Sequence, residues 1–598
     1  MASKSDIAAR LSALRTLLKS EGLDGLIVPR ADAHQSEVAA PHDDRLAFIT
    51  GFTGSAGLAL VLEDKALIFV DGRYEIQVRH EVSAALYEVH HLHNDPIDSW
   101  LAAHGSKEWR IGFDPMLIDT ALYDRLAASA ERAGFTLVPI SKDPFDAIWT
   151  DRPEKPLGRI RPMSPTLAGE TVAAKTARLG RKIADAGADM MAETLPDNIA
   201  WLLNLRGSDI AMNPVPQSFM ILNADGAVDW FIDNRKLPDD LTAFELDGVR
   251  LRPAEEFIPF VESAAADRTV MIDQSFAPVA LRLAVEGAGG VVLPADNPLT
   301  LAKARKTPAE LAGYRACHIE DGIALTEFLA WLDREAPARA SAGNPIREIE
   351  AEDRLLTFRA QRKGFLEASF RSISAAGANA AMCHYNAGPQ SDAAITPDGP
   401  YLIDSGGQYE NGTTDVTRTL FLDVPESHVR ATYTAVLKGF IALMSAEFPE
   451  GTCGHQLDAL ARLPLWRMGL DYDHGTGHGV GHNLLVHEYP HRFAKKANNY
   501  GLEPGNIMTI EPGYYEAGAY GLRIENQVEV VAARPGFCRF RSLTLAPIDL
   551  KPVDVAALSA EDIAFINDYN ATVREALAGP ISADARDFLK RSTQALEV

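Results

Sequence analysis

Apolar positions along the first half of the chain alternate between two periods, and the alternation happens twice. Ile7, Leu11, Leu14 and Leu18 stand at helical spacing with Arg10, Arg15 and Lys19 between them, which predicts an amphipathic helix. Gly22 ends it, Asp24 and the apolar residues 26–28 follow as a short strand, and then come RLAFITGFTGS (residues 45–55) and LIFVDGR (67–73). The same succession returns later: a helical segment reaching Gly187 and Asp189, then NIAWLLNLRGS (198–208) and DWFIDNR (229–235). Helices alternating with short apolar strands imply α/β architecture, and the repetition implies two related domains that arose by duplication. Pro153, Pro156, Pro162 and Pro165 read as a stiff linker and set a boundary near residue 155. Pro294 and Pro298 precede the next boundary, where Thr307-Pro308-Ala309-Glu310 offers a helix cap, a proline at the first helical position and a glutamate three residues after the cap. Residues 558–577 and 583–596 read as closing helices. The expected domains are 1–155, 156–304, 305–535 and a helical extension, 536–598, packed on the third.

Composition narrows the class without naming a function. With 46% apolar and 23% charged residues over 598 positions, the chain is a folded multidomain protein. Lys plus Arg number 58 against 82 Asp plus Glu, and the resulting charge of -24 repels phosphate backbones, so no nucleic-acid partner is expected. The four cysteines, Cys317, Cys383, Cys453 and Cys538, are too widely spaced for a disulfide framework or a thiolate zinc site. The N-terminal helix is too interrupted by charge for a signal peptide, and no apolar run of about 18 residues occurs, so a cytoplasmic protein without a membrane segment is expected.

The chemistry gathers in the third domain. In YLIDSGGQYENGTTDVTRT (401–419), Asp404 and Asp415 flank a turn region with Gly406, Gly407, Asn411 and Gly412, the pattern of a β-hairpin that brings two carboxylates together. HGTGHGVGHNLLVHEYP (474–490) holds His474, His478, His482 and His487 among glycines, which admit close approach while imidazoles offer metal ligation and proton transfer. Spacing leaves open which histidine is a ligand. Glu511 ends IMTIE, and in LRIENQVEV strand alternation puts Arg523, Glu525 and Gln527 on one face and Leu522, Ile524 and Val528 on the other. A plain Arg523–Glu525 ion pair is the competing reading. Four carboxylates with imidazole make an oxygen-rich site suited to manganese, cobalt or zinc, and a pair of divalent ions is expected to balance the acids and to support hydrolysis.

These strings, in the order Asp, Asp, His, Glu, Glu, resemble the pita-bread metallopeptidases, and specifically the long three-domain aminopeptidase P family, over essentially the whole chain. The resemblance implies two duplicated creatinase-like N-terminal domains followed by a pita-bread catalytic domain. It also implies an Xaa-Pro aminopeptidase in which a bridging hydroxide on two metal ions, commonly Mn2+, attacks the bond before proline. The implied metal ligands are Asp404, Asp415, His478, Glu511 and Glu525. His384 of MCHYNAG and His487 would orient substrate and hydrogen-bond the oxyanion, His474 would shape the proline pocket, and Glu511 would shuttle the proton to the leaving nitrogen. Tyr515 and Arg523 match residues beside the site, and Arg73 is a candidate to reach a neighbouring subunit's site in a homodimer. The family's usual glycine after HE is replaced here by Tyr489, a change bearing on which peptides fit. A prolidase that accepts only dipeptides, a creatinase-like amidinohydrolase and a non-catalytic peptide-binding relative are the alternatives.

Overall fold

In a computed structural model that describes residues 4–597, the duplication seen in the sequence becomes two sheets of identical topology. Residues 1–3 and 598, the ends of the first and last expected domains, lie outside the described residues. The first sheet runs in the order Glu88–His91, Ala66–Val70, Leu58–Leu62, Gly25–Pro29, Arg110–Phe113, Thr136–Pro139. The second runs Val249–Arg252, Val228–Phe231, Phe219–Asn223, Met190–Glu193, Thr269–Ile272, Val291–Pro294. In both, the two central hairpin pairings are antiparallel and the three flanking pairings parallel. The helix Lys4–Ser20 lays Ile7, Leu11, Leu14 and Leu18 into the core of the first sheet, as its periodicity predicts. The repeated Asp-x-Arg strings also fold alike. Asp71 caps a short 3-10 turn and pairs with Arg73 at 2.7 Å, and Asp233 does the same with Arg235 at 2.6 Å.

The chain divides into two compact units, one comprising residues to Pro165 with Glu170–Leu299, the other Thr166–Gly169 with the chain from Thr300. The second unit opens on the expected capping box: Glu310 N–H donates to Thr307 Oγ1, the Glu310 carboxylate accepts from Thr307 N–H, and a 34-residue helix, Pro308–Ser341, follows. Its main sheet has the order Glu447–Pro449, Phe537–Ser542, Asn526–Arg534, Ile507–Ile510, Gly477–Gly479, Glu488–Phe493. Met508, Ile510, Val528 and Val530 from that sheet pack with Val436, Phe440 and Ile441 of helix Ser427–Met444. Burying such side chains contributes on the order of 2 kcal/mol each. This sheet carries His478 in one strand and has Glu511 and Glu525 at the ends of two others. Closing helices span Ala560–Leu577 and Ala583–Ser592, the second ending four residues earlier than its apolar pattern suggests. All four cysteines are free thiols, and no described helix is long and apolar enough to cross a membrane.

Candidate metal centre

Strand Tyr401–Ser405 pairs antiparallel with Val416–Leu420, so Asp404 lies opposite Thr417 and Ser405 opposite Val416. The expected hairpin is present. Its tip, Gly407–Tyr409 with Gly412–Thr413, leaves this sheet and pairs instead with Phe365–Ala368. At Gly406 an added Cβ would fall 1.9 Å from the Thr414 carbonyl oxygen, so only glycine lets the chain pass there. Asp415 sits at the bend just before the returning strand, and both aspartates are buried.

His478 comes from the strand Gly477–Gly479, where an added Cβ at Gly477 would fall 2.0 Å from the Thr509 carbonyl oxygen. The His478 Nδ1–H donates to the Gly479 carbonyl at 2.7 Å, which leaves the Nε2 lone pair facing Asp415 at 3.4 Å and Glu511 at 3.5 Å. One ligand atom each from Asp415, His478 and Glu525 lies within 4.8 Å of the others. Leu522, Ile524 and Val528 join the apolar core while Arg523 and Glu525 turn the other way, as alternation predicts, although the strand is interrupted at Ile524–Glu525. Arg523 does not pair with Glu525. Its Nη2 donates to Asp404 at 2.7 Å, and its Nη1 donates to Tyr515 Oη at 2.6 Å. That hydroxyl in turn lies 2.9 Å from His474 Nε2.

Burial pushes Glu511 up to about 7 and Asp415 up to about 6, and burial followed by mutual repulsion among the acids raises Glu525 well above the ordinary carboxylate range. Burial likewise raises Asp404, despite the Arg523 guanidinium beside it. Asp404 Oδ1 is buried with no hydrogen-bond partner among the described residues. Four desolvated acids around one imidazole and one guanidinium suit a divalent pair, because cations supply what burial removes. The residues present therefore fit the group.

Two more of the predicted residues border this cluster. The His487 ring meets the His478 ring edge-on at 4.3 Å. His384 follows Cys383, whose carbonyl accepts from Arg523 Nη2 at 3.4 Å. Arg73 belongs to the other unit, where its Nε and Nη2 donate to Asp71.

Several positioning residues were not singled out from the sequence. Thr417 Oγ1 donates to Glu525 at 2.7 Å, and Thr509 Oγ1 accepts from His478 N–H at 3.1 Å. Both threonines stand two residues from an acid, Asp415 and Glu511, so strand periodicity was the available signal. Glu348, buried at the start of helix Glu348–Ala360, accepts from Ala376 N–H, Ala393 N–H, Asn379 Nδ2 and Tyr385 Oη, pinning both ends of the loop that carries His384.

Comparison with known proteins decides the family. Models of the creatinase/prolidase N-terminal domain match residues 10–148 and 151–310, metallopeptidase family M24 matches 312–532, and the C-terminal region of that peptidase matches 536–596. Aminopeptidase P1 of Lotus japonicus is 36% identical, with 98% of this chain and 99% of that protein aligned. The chain belongs to the aminopeptidase P family. A probable Xaa-Pro aminopeptidase P of Chaetomium globosum is 37% identical over 98% of this chain and 99% of its own length. The X-prolyl aminopeptidase of Caenorhabditis elegans, described as a cytosolic enzyme with a di-nuclear active site, superposes with a TM-score of 0.93 at 32% identity, covering 99% of this chain and all of that one. Two creatinase-type N-terminal domains precede a pita-bread metallopeptidase domain.

Proposed function

We propose that this chain is a metallopeptidase that releases the first residue of peptides whose second residue is proline. The observation that carries the reading is the convergence of buried, pKa-raised carboxylates on His478 in a chain whose full length aligns with Xaa-Pro aminopeptidases. Asp404, Asp415, His478, Glu511 and Glu525 would hold two divalent ions, manganese by our reading, with zinc or cobalt as substitutes. When bound, such a pair acidifies a water and stabilises negative charge on an attacked carbonyl.

This chain's own residues do the rest. Glu511, whose carboxylate lies 3.5 Å from His478 Nε2, would take the proton of the attacking water and return it to the leaving prolyl nitrogen. His487, packed on His478, and His384, on the loop pinned by Glu348, would donate to the carbonyl oxygen as its charge grows. Arg523 holds the Tyr515 hydroxyl against His474 Nε2, which orients that imidazole as one wall of a proline pocket. Proline's nitrogen has no N–H in peptide linkage, so a ring-shaped pocket can select what donor-dependent peptidases reject.

The chain works as a homodimer in the cytoplasm by this reading. Leu460, Leu463, Trp466 and Met468 expose an apolar row on and just after helix Gly454–Trp466, and the worm relative is described as cytosolic. The deciding assay compares manganese-loaded enzyme on Xaa-Pro-Yaa, Xaa-Ala-Yaa and Xaa-Pro. Cleavage of the first alone is expected; equal rates on the first two would defeat the proline assignment, and cleavage of the dipeptide alone would mean a prolidase.

A further inference from the structure

The strand Glu488–Phe493 parts from its neighbour for three residues. Gly479 pairs with Glu488 and His478 with Arg492, so Tyr489, Pro490 and His491 bulge out between the two register pairs. The bulge is anchored from below, because the buried Glu488 carboxylate is held by Lys303 at 3.2 Å and also by Lys306. Directly opposed residues in an antiparallel pair send their side chains from the same sheet face, with Cβ atoms about 4.5–5.5 Å apart. Gly477 opposes Phe493, whose ring is fully buried in the core. Arg492 therefore leaves the sheet on the other face, the one from which His478 reaches Asp415 and Glu511.

Unlike the acids beside it, Arg492 is exposed. Its guanidinium lies 5.8 Å from the Tyr489 ring centroid, and that ring meets Tyr500 edge-on at 5.6 Å. Among the described residues no carboxylate engages the Arg492 guanidinium, in a chain whose formal charge is -24. A planar cation backed by an aromatic face keeps its donors in a plane and turned outward, the arrangement that binds carboxylates in a fork. The position of this fork limits what it can meet. Two residues beyond the carbonyl under attack, an extended peptide has advanced about 7 Å, and Arg492 stands directly across the strand pair from His478, a cross-strand spacing of about 4.5–5.5 Å between Cβ atoms.

We propose that Arg492, backed by Tyr489, is a specificity-determining residue that binds a carboxylate on the substrate residue following proline. The inference rests on the Xaa-Pro reading given above. The carboxylate is either the free C-terminus of a tripeptide or an acidic side chain at the third position. Tyr489, which replaces the glycine usual in the family, thereby gains a role: it supplies the wall on which Arg492 lies.

The test measures kcat and KM of the manganese-loaded full-length enzyme on Ala-Pro-Ala as the free acid, on its C-terminal amide and on Ala-Pro-Asp amide. Arg492→Gln and Tyr489→Gly are assayed beside the wild type. The wild type is expected to show a KM about tenfold lower for the free acid than for the amide, with kcat unchanged. Arg492→Gln erases that preference without altering the amide's KM, and Tyr489→Gly weakens it. If Ala-Pro-Asp amide matches the free acid, side-chain carboxylates are bound as well; if it behaves as the plain amide, the C-terminus alone is bound. Calorimetric titration with the product-like dipeptides Pro-Ala and Pro-Ala amide repeats the comparison without turnover. Equal affinities for acid and amide in the wild type, or an undiminished preference in Arg492→Gln, would overturn the proposal. Failure to cleave any Xaa-Pro peptide would instead strike the functional reading, while the calorimetric arm still decides the role of Arg492.

Discussion

One buried acid and a cluster of four acids lie in the same unit and are compensated in opposite ways. Asp321 receives Arg359 through both oxygens, at 2.8 and 3.1 Å, and the Tyr409 hydroxyl at 2.9 Å. Burial alone would raise its pKa, but the adjoining guanidinium outweighs burial and holds it below the usual carboxylate value. Asp404, Asp415, Glu511 and Glu525 share one guanidinium, Arg523, and all four are pushed upward. Asp321 is electrically complete; the cluster is short of positive charge. Unequal compensation of desolvated acids is what separates a structural ion pair from a site built to receive cations.

That contrast is broken most severely at Asp415. Asp415→Asn is expected to lower kcat/KM by about a thousandfold or more, while the metal-free protein becomes more stable, as a thermal melt in chelator would record. Asp321→Asn should instead destabilise the fold. Removing that partner leaves Arg359 buried and unpaired, at a cost of about 3–5 kcal/mol, and denaturant titration should find no rescue by manganese beyond the increment the wild type shows.

The pH dependence sharpens the same comparison. An acid raised in the folded state gives its stabilisation below its unfolded pKa and loses it as pH climbs through the folded value. With Asp415 at about 6 and Glu511 at about 7, the metal-free protein should lose thermal stability between about pH 4 and about pH 7. Divalent ions need the deprotonated acids, so the gain in melting temperature on adding manganese should grow across that window. The smallest effect is expected at Glu348. Glu348→Gln keeps the shape but sets an amide against N–H donors, costing about 1–3 kcal/mol, and slackening of the His384 loop should lower kcat/KM roughly tenfold. Steady-state kinetics with intact manganese affinity would separate that change from loss of metal.

Features governed by local periodicity were legible in the sequence. The Asp404–Asp415 hairpin followed from glycines and asparagine between two short apolar runs, and the facing of Arg523 and Glu525 followed from strand alternation. The capping box at Thr307 and the duplicated sheets were likewise readable, since each repeats a local rule. Contacts between distant segments were not. Arg523 neighbours Glu525 in sequence, yet it pairs with Asp404 from 119 residues away, a choice made by tertiary packing. Glu348 reads as an ordinary acid in the first turn of a helix, and nothing near it in sequence announces the donors it gathers from residues 376–393. The last helix stops at Ser592 because Thr593 leaves helical geometry and Leu596 is captured by Asn567, another contact that periodicity does not contain.

Anomalous diffraction from crystals soaked in manganese tests the central claim most directly. The account predicts two peaks per chain, enclosed by Asp404, Asp415, His478, Glu511 and Glu525, and their loss in Asp415→Asn. Manganese bound elsewhere, or no peak among those five side chains in a well-ordered crystal, would contradict it.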